Sequence, residues 1–453
     1  MKLRFSKILK KISLFENKVN KLSNIIYYGR LISINGLVLE TTGLNAPIGA
    51  HCFIERIIDG KLSNINAKVV GFKGEKTLLF SFEEIYGVFP GARVFLKISK
   101  NMNYIFNKIP LGIELLGRVL DSRGNPLDGK PEFDQKIFKI PKKNNINPLD
   151  RKPINTILDT GIRAINGLIT IGLGQRIGIF SSSGVGKSIL LGMMSRYTQA
   201  DIIIIALIGE RGREVKYFIQ NILGLDGLLK SVVIAAPADV SPLSQIEAAS
   251  YATNIAEYFC QKGKNVLLIM DSLTRYAMAQ REVSLSLGEL PVSKGYPSSI
   301  FSKIPILVER AGNLSNNGSI TAFYTILTEN EEDQEDPIAH LCRSILDGHI
   351  LLSRYYADLG HYPAIDIESS ISRVMPEIVN DQQYRQSCYF KQLVSVYQRN
   401  KDLINIGAYV SGNDPILDRA IKMWPLLQNF LQQKQAEKSN YLNSYNELNK
   451  IFI

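Results

Sequence analysis

The run Ser181-Ser-Ser-Gly184-Val-Gly186-Lys187-Ser188 has the composition of a phosphate cradle. It follows an apolar stretch, Arg176–Phe180, and opens a helical one, Ile189–Tyr197. In such a strand–loop–helix, the backbone N–H groups from Ser181 through Ser182, Ser183, Gly184 and Val185 to Gly186, with the helix N-terminus, face phosphate oxygens. Lys187 would reach the β- and γ-phosphates of a nucleoside triphosphate such as ATP, and the Ser188 hydroxyl would ligate Mg²⁺. The glycine that usually opens this motif is Ser181 here. A chance Gly-Lys-Ser turn is the alternative, but it needs neither the strand nor the helix around it.

Two carboxylates are candidates to complete the site. Gly209-Glu210-Arg211-Gly-Arg213-Glu214 follows the apolar run Asp201–Ile208. Residues just past a parallel strand border the ligand crevice, so Glu210 is placed to polarise a water for in-line attack on a γ-phosphate. A carboxylate in a surface loop would look the same from its charge cluster alone. Val266-Leu-Leu-Ile-Met-Asp271 is an apolar strand ending in Asp, and that Asp can hold Mg²⁺ directly or through water. Many strands end in Asp; the combination with the glycine-rich loop is the informative feature.

These residues need a sheet to position them. From Ile154 onward, apolar runs alternate with amphipathic helical stretches: Arg176–Phe180, Asp201–Ile208, Ser231–Ala235, Val266–Met270, Ser319–Leu327 and His349–Ser353. Continuous apolar runs of this kind are buried on both faces, as in a parallel sheet covered by helices. Upstream, six β-prone runs between Tyr27 and Lys100, with turn signals at Asn35-Gly36 and Pro90-Gly91, predict a small closed barrel. Before it, Phe5, Ile8, Leu9, Ile12, Phe15, Val19 and Leu22 recur at helical spacing among lysines. Such a helix can dock on a partner, lie on an anionic membrane or pack on its own domain. The expected division is an amphipathic helix over 1–22, a β-barrel domain over 23–100, a polar connector over 101–150, a nucleotide-binding core over 151–375 and a helical C-terminal domain over 376–453.

Composition sets the outer limits. A chain of 453 residues calls for two or three domains. Hydrophobic content of 45% and charged content of 21% exclude collagen-like or broadly disordered chains. Cys52, Cys260, Cys342 and Cys388 stand apart with no Cys/His cluster, so neither a zinc site nor a disulfide framework is expected, and a reducing compartment suits them. A net charge of +11 raises nucleic acid or an anionic surface as a partner. A chain rich in Lys, Asn and Ile spreads such charge everywhere, and no long Lys/Arg block marks a patch. No stretch approaches the roughly 18–20 apolar residues of a membrane span. No secretory signal is expected, because Lys7, Lys10 and Lys11 interrupt any apolar segment near the N-terminus.

Gly172-Leu-Gly-Gln-Arg-Ile-Gly-Ile-Phe180, Gly184-Val-Gly-Lys-Ser188, Leu207-Ile-Gly-Glu-Arg-Gly-Arg-Glu-Val215 and Leu268-Ile-Met-Asp-Ser-Leu-Thr-Arg-Tyr-Ala-Met-Ala-Gln280 resemble the catalytic subunits of the rotary ATP synthase superfamily. Pro363-Ala-Ile-Asp-Ile-Glu-Ser-Ser-Ile-Ser372 matches that superfamily's alpha/beta signature. Ile234-Ala-Ala-Pro-Ala-Asp-Val-Ser-Pro242, Lys294-Gly-Tyr-Pro297, Ile320-Thr-Ala-Phe-Tyr-Thr325 and His361-Tyr-Pro-Ala-Ile-Asp366 resemble the flagellum-specific ATP synthases, the ATPases of flagellar protein export. The resemblance spans nearly the whole chain. The virulence type III secretion ATPases share most of these motifs, and the Thr-Ala-Phe-Tyr-Thr run favours the flagellar branch.

The resemblance implies an α/β fold: a RecA-like P-loop core with a parallel sheet, preceded by a small β-barrel domain and followed by a helical C-terminal domain. It implies a Mg²⁺-dependent ATPase with Glu210 as the catalytic carboxylate and Arg373 as an arginine finger reaching a neighbouring subunit's γ-phosphate. The plainer reading of Arg373 is a surface Arg capping a helix. Tyr362 resembles the aromatic that stacks on adenine, and Arg211 and Arg275 match further active-site arginines. The implied assembly is a homohexamer. Its implied partners are a stator-like flagellar regulator on the N-terminal helix, a coiled-coil stalk protein, membrane proteins of the export gate, and export substrates with their chaperones. The implied location is cytoplasmic, on the inner face of the membrane at the flagellar base. A non-catalytic nucleotide-binding subunit is disfavoured by Glu210. A Rho-type RNA translocase is disfavoured because the N-terminal β region lacks interleaved aromatic and basic residues, so no nucleic-acid partner is expected.

Two departures stand out. Relatives carry Ala and Gly where this chain has Ser181 and Ser182, and a side chain at 182 strains the loop if its φ must be positive. Slower or weaker nucleotide turnover would follow from that strain. Gln245 stands where relatives carry Arg, with no consequence readable from the sequence.

Overall fold

The computed structural model describes residues 28–96, 108–134, 137–139, 148–314, 318–328 and 336–452. The helix expected over 1–22 lies outside the described residues. The chain divides into two compact units, Met1–Asn107 and Lys108–Ile453.

In the first unit, alternating side chains close a barrel. Strands β1 (Tyr28–Asn35), β2 (Val38–Thr42), β3 (His51–Ile58), β4 (Lys61–Lys73), β5 (Lys76–Ser81) and β6 (Arg93–Leu96) pair in the cyclic order β1-β2-β5-β4-β3-β6. Leu31, Leu39, Ile54, Ile65, Val69, Leu79 and Val94 fill its interior. A side-chain period of two puts these residues on one face while their neighbours meet water.

The second unit is built on one nine-stranded sheet. Its strands are β7 (Arg118–Leu120), β8 (Arg176–Ser181), β9 (Ile202–Ile208), β10 (Ser231–Ala236), β11 (Asn265–Asp271), β12 (Ser319–Leu327), β13 (Gly348–Leu352) and β14 (Ile365–Ser372), with a short strand Gly312–Asn313 against β12. The order is β14-β13-β8-β12-β11-β9-β10-β7. Every residue of β9 and β10 is buried, which is why these strands read as unbroken apolar runs rather than alternating ones. Each fully buried Ile of β9 contributes about 1.5–3 kcal/mol of burial free energy.

The sheet is mixed rather than parallel throughout, because β14 runs antiparallel to β13 and Gly312–Asn313 runs antiparallel to β12. The stretch 101–150 is more than a connector, since Arg118–Leu120 pairs in parallel with β10 and forms the sheet edge. Three residues are too few to show a period, and the polar sequence around them hides the strand.

Helices cover the sheet. They include α1 (Arg163–Leu168), α2 (Lys187–Tyr197), α3 (Pro242–Gln261), α4 (Leu273–Ser286) and α5 (Pro337–Ile345). The chain ends in α6 (Asp381–Asn405), α7 (Pro415–Leu431) and α8 (Tyr441–Phe452). Side chains of Asn380 and Asp414 cap α6 and α7, and Pro415 occupies a first-turn position where its missing N–H costs nothing. These helices show no packing break with the core at 375/376. Phe390, Leu393, Leu427 and Phe430 share one apolar cluster with Ile165, Ile179 and Ile205. Arg163 of α1 adds a polar clamp, donating to Glu447 at 2.6 Å, to Glu437 at 2.8 Å and to the Gln432 carbonyl at 2.9 Å. Among the described residues, no helix is long and apolar enough to cross a membrane.

Candidate active site

The C-terminal ends of four neighbouring strands converge, and each brings one functional group. Strand β8 ends at Ser181 and passes into the loop 182–186, from which α2 starts at Lys187. Gly184 and Gly186 turn that loop with φ of 85° and 88°, the left-handed region that glycine adopts without strain. Ser182 is not in that region: among the described residues only Asp59 and Lys294 are non-glycine residues with positive φ. The strain expected at Ser182 is therefore absent. The Ser181 and Ser182 hydroxyls are buried without a hydrogen-bond partner. Ser183 and Gly184 are exposed, while Val185 is buried beneath the loop.

The ammonium of Lys187 lies 2.6 Å from Asp271 Oδ1 and 3.5 Å from Glu210 Oε1. Asp271 is the last residue of β11 and is 3% exposed. Glu210 follows β9 through Gly209, where a Cβ would come within 2.9 Å of Arg275 Cβ. The backbone carbonyl of Glu210 accepts from Ala238 N–H at 3.0 Å, which ties the Glu210 loop to the chain beyond β10.

Burial alone would lower the Lys187 pKa, but the Asp271 and Glu210 carboxylates reverse this and hold it above its ordinary value. Burial pushes the Glu210 carboxyl up; Lys187 pulls it down, Asp271 pushes it up again, and the net direction is upward. A carboxyl raised by burial in a crevice is the setting for a general base.

Thr325 of β12 donates to Asp271 Oδ1 at 2.6 Å, the same oxygen that Lys187 meets, and so helps to fix this carboxylate. Sequence reading gave Thr325 no role, although it closes the Thr-Ala-Phe-Tyr-Thr run. Ser188 is half-buried on the first turn of α2. Among the described residues, no group of three or more His, Cys, Asp or Glu could enclose a metal ion alone. Ser188 and Asp271 do supply hard oxygen donors, and Mg²⁺ characteristically completes its shell with water and phosphate oxygens. The donor set fits Mg²⁺.

Tyr362 packs against the loop at Gly186. Its ring edge would lie 3.2 Å from a Cβ placed on Gly186. Together with Val185, Ile189, Leu190, Met193 and Pro363 it walls a mainly apolar cavity of about 200 Å³. Gln433, anchored by accepting from Arg163 N–H and by donating its own N–H to the Tyr362 carbonyl, also lines that cavity.

The remaining arginines are placed differently. Arg211 is exposed and pairs with Glu214 at 3.9 Å rather than with the buried carboxylates. Arg275 packs its aliphatic stem on Gly209. Arg373 is exposed just past β14, and its Nη2 donates to the Arg343 carbonyl at 2.9 Å, so within this chain it does cap a helix. Gln245 donates to the Val240 carbonyl at 3.3 Å in the first turn of α3.

Known proteins resemble this chain over most of its length. Residues 161–372 match the family model "ATP synthase alpha/beta family, nucleotide-binding domain", and residues 379–450 match the C-terminal domain of the type III secretion EscN ATPase. A flagellum-specific ATP synthase of Buchnera aphidicola subsp. Schizaphis graminum is 73% identical, covering 100% of this chain and 97% of its own length. The flagellum-specific ATP synthase of Salmonella typhimurium is 55% identical, with 100% and 99% covered. The chain belongs to the flagellum-specific ATP synthase family. Its fold is also that of the assembled ATPase EscN from the type III secretion system of enteropathogenic E. coli, at 41% identity and a TM-score of 0.83 over 94% of this chain and 100% of that one. A further structure shows EscN in complex with its central stalk, EscO. This member of the family is thus an ATP-hydrolysing enzyme, and Lys187, Asp271 and Glu210 are the groups its fold brings together.

Proposed function

We propose that this ATPase works as a homohexamer that hydrolyses Mg-ATP at subunit interfaces to drive flagellar type III protein export. The observation that carries the reading is the Lys187–Asp271–Glu210 cluster at the strand ends beside the nucleotide loop. Lys187 pairs with both carboxylates. A bound triphosphate offers Lys187 a stronger anionic partner, and Lys187 then binds the β- and γ-phosphates while loop N–H groups cradle them. Glu210, released from Lys187, orients a water toward the γ-phosphorus and takes up its proton. Ser188 and Asp271 would hold Mg²⁺, which would supply charge neutralisation at the transferred group. Tyr362 stacks on the base. Arg373 serves the neighbouring subunit, where its guanidinium meets charge developing in the transition state. Arg275, against Gly209 beside Glu210, and Arg211, next to Glu210 in sequence, are further active-site arginines.

Flagellar relatives of high identity support the flagellar branch over the virulence branch. A coiled-coil stalk is the partner that EscO suggests. Segment 1–22 binds a stator-like regulator, the export gate holds the enzyme at the inner face of the membrane, and substrates arrive with chaperones. A mixing experiment tests the shared site. Lys187→Ala and Arg373→Ala chains are each expected to be nearly inactive, and an equimolar mixture should recover part of the ATPase activity. A mixture as inactive as its components contradicts an Arg finger acting between subunits.

A further inference from the structure

Helix α5 ends where β13 begins, and its end is occupied in an unusual way. A continuing helix would direct the Asp347 N–H to the Arg343 carbonyl. Instead that N–H donates to the Arg176 carbonyl at 2.9 Å, at the start of β8. The Arg343 carbonyl takes Arg373 Nη2 at 2.9 Å, and the Arg373 N–H donates to the Asp347 carbonyl at 3.0 Å. Arg373 is therefore fixed twice at the C-terminus of α5, where a helix dipole favours a cation.

The side chain of Arg343 points to another element. Its guanidinium lies 4.9 Å from the ring centroid of Phe180, which is fully buried in β8. His349 of β13 meets the same ring edge-on at 5.8 Å. Phe180 immediately precedes Ser181 and the nucleotide loop. The residue whose carbonyl holds Arg373 is thus itself clamped to the strand that carries the chain's own phosphate cradle. The Arg176–Asp347 pair, with two contacts of 2.9 Å, secures the other end of that strand to the same junction.

We propose that Arg343 is a positioning residue for Arg373: stacked on Phe180, it fixes the α5 terminus whose carbonyl holds Arg373 in place for the neighbouring subunit. This rests on the reading of Arg373 as a finger acting between subunits. Arg343 touches neither nucleotide nor reacting atoms, so its effect belongs in turnover and not in ATP binding.

The test is steady-state ATP hydrolysis by the full chain under assembling conditions, comparing Arg343→Met, Arg343→Lys, Arg373→Ala and the double variant Arg343→Met/Arg373→Ala. Arg343→Met is expected to lower kcat by roughly three- to thirtyfold, the range of a lost cation–π contact, with KM for ATP unchanged. Arg343→Lys, which keeps a cation over the ring, should regain most of that loss. The double variant should be no slower than Arg373→Ala alone, because both changes remove one function. Arg343→Gln repeats the comparison should Arg343→Met lose its fold. Additive losses, or a raised KM with kcat intact, overturn the proposal and leave the finger reading standing. An Arg373→Ala enzyme with wild-type kcat overturns both.

Discussion

Tyr362→Ala isolates the base-binding half of the site from its chemistry. The ring is 44% exposed, so more than half of its surface is already covered, by Gly186 and the apolar cavity wall among others. The exposed remainder is the surface a base would meet. Stacking of a base on such a ring contributes about 1–3 kcal/mol, or roughly 5- to 150-fold in affinity. The cavity lining includes none of Lys187, Glu210 and Asp271. The stack is therefore worth the same in the bound state and the transition state, and its loss is a loss of uniform binding. Steady-state ATP hydrolysis over a range of ATP concentrations should show KM raised by that factor with kcat unchanged. Tyr362→Phe keeps the ring and should match the parent enzyme in KM. A Tyr362→Ala enzyme with normal KM and depressed kcat refutes the reasoning, as does a Phe variant no better than Ala.

Lys187→Ala strips the buried Asp271 and the half-buried Glu210 carboxylates of their shared cation, so the nucleotide-free protein should lose about 3–5 kcal/mol in urea denaturation. The Lys187 pKa is raised in the folded state, so its contribution is complete at neutral pH and lost only above its unfolded value of 10.5. The Glu210 carboxyl is raised from 4.5 by burial first, so its folded form favours the proton, and the penalty of ionising it is absent in acid and complete above the raised pKa. Glu210→Gln should accordingly melt at a higher temperature than the parent at neutral pH, with the difference vanishing below pH 4.5. Thr325→Val removes a 2.6 Å bond to Asp271, so it should cost about 1.5–3 kcal/mol and raise the Mg²⁺ concentration needed for half-maximal hydrolysis. Ser182→Gly should leave KM and kcat at parental values, because the loop at Ser182 holds no positive φ to relieve.

What could be read from sequence depended on whether the signal was local. The phosphate loop, Asp271 and the six core strands declare themselves within a few neighbouring residues, through glycine spacing and through unbroken apolar runs. The barrel declares itself through alternation and turns. Long-range partners leave no such mark. Arg163 meets Glu437 and Glu447 across more than half of the chain. Thr325 meets Asp271 only because β12 lies beside β11. Arg343 finds Phe180 through the packing of α5 on β8. The antiparallel edge and the strand Arg118–Leu120 were hidden for the same reason, since pairing partners are set by topology and not by the strand's own residues. The P-loop serines illustrate the opposite error. Their types suggested strain, but strain resides in φ, and φ at Ser182 is ordinary.

The role proposed for Glu210 is the activation of water. The direct measurement is single-turnover and steady-state ATP hydrolysis by Glu210→Gln, which keeps the shape of the side chain and removes its basicity. The expected result is nucleotide binding at parental affinity with turnover reduced by about 10²- to 10⁴-fold. A Glu210→Gln enzyme that hydrolyses ATP at the parental rate contradicts the account.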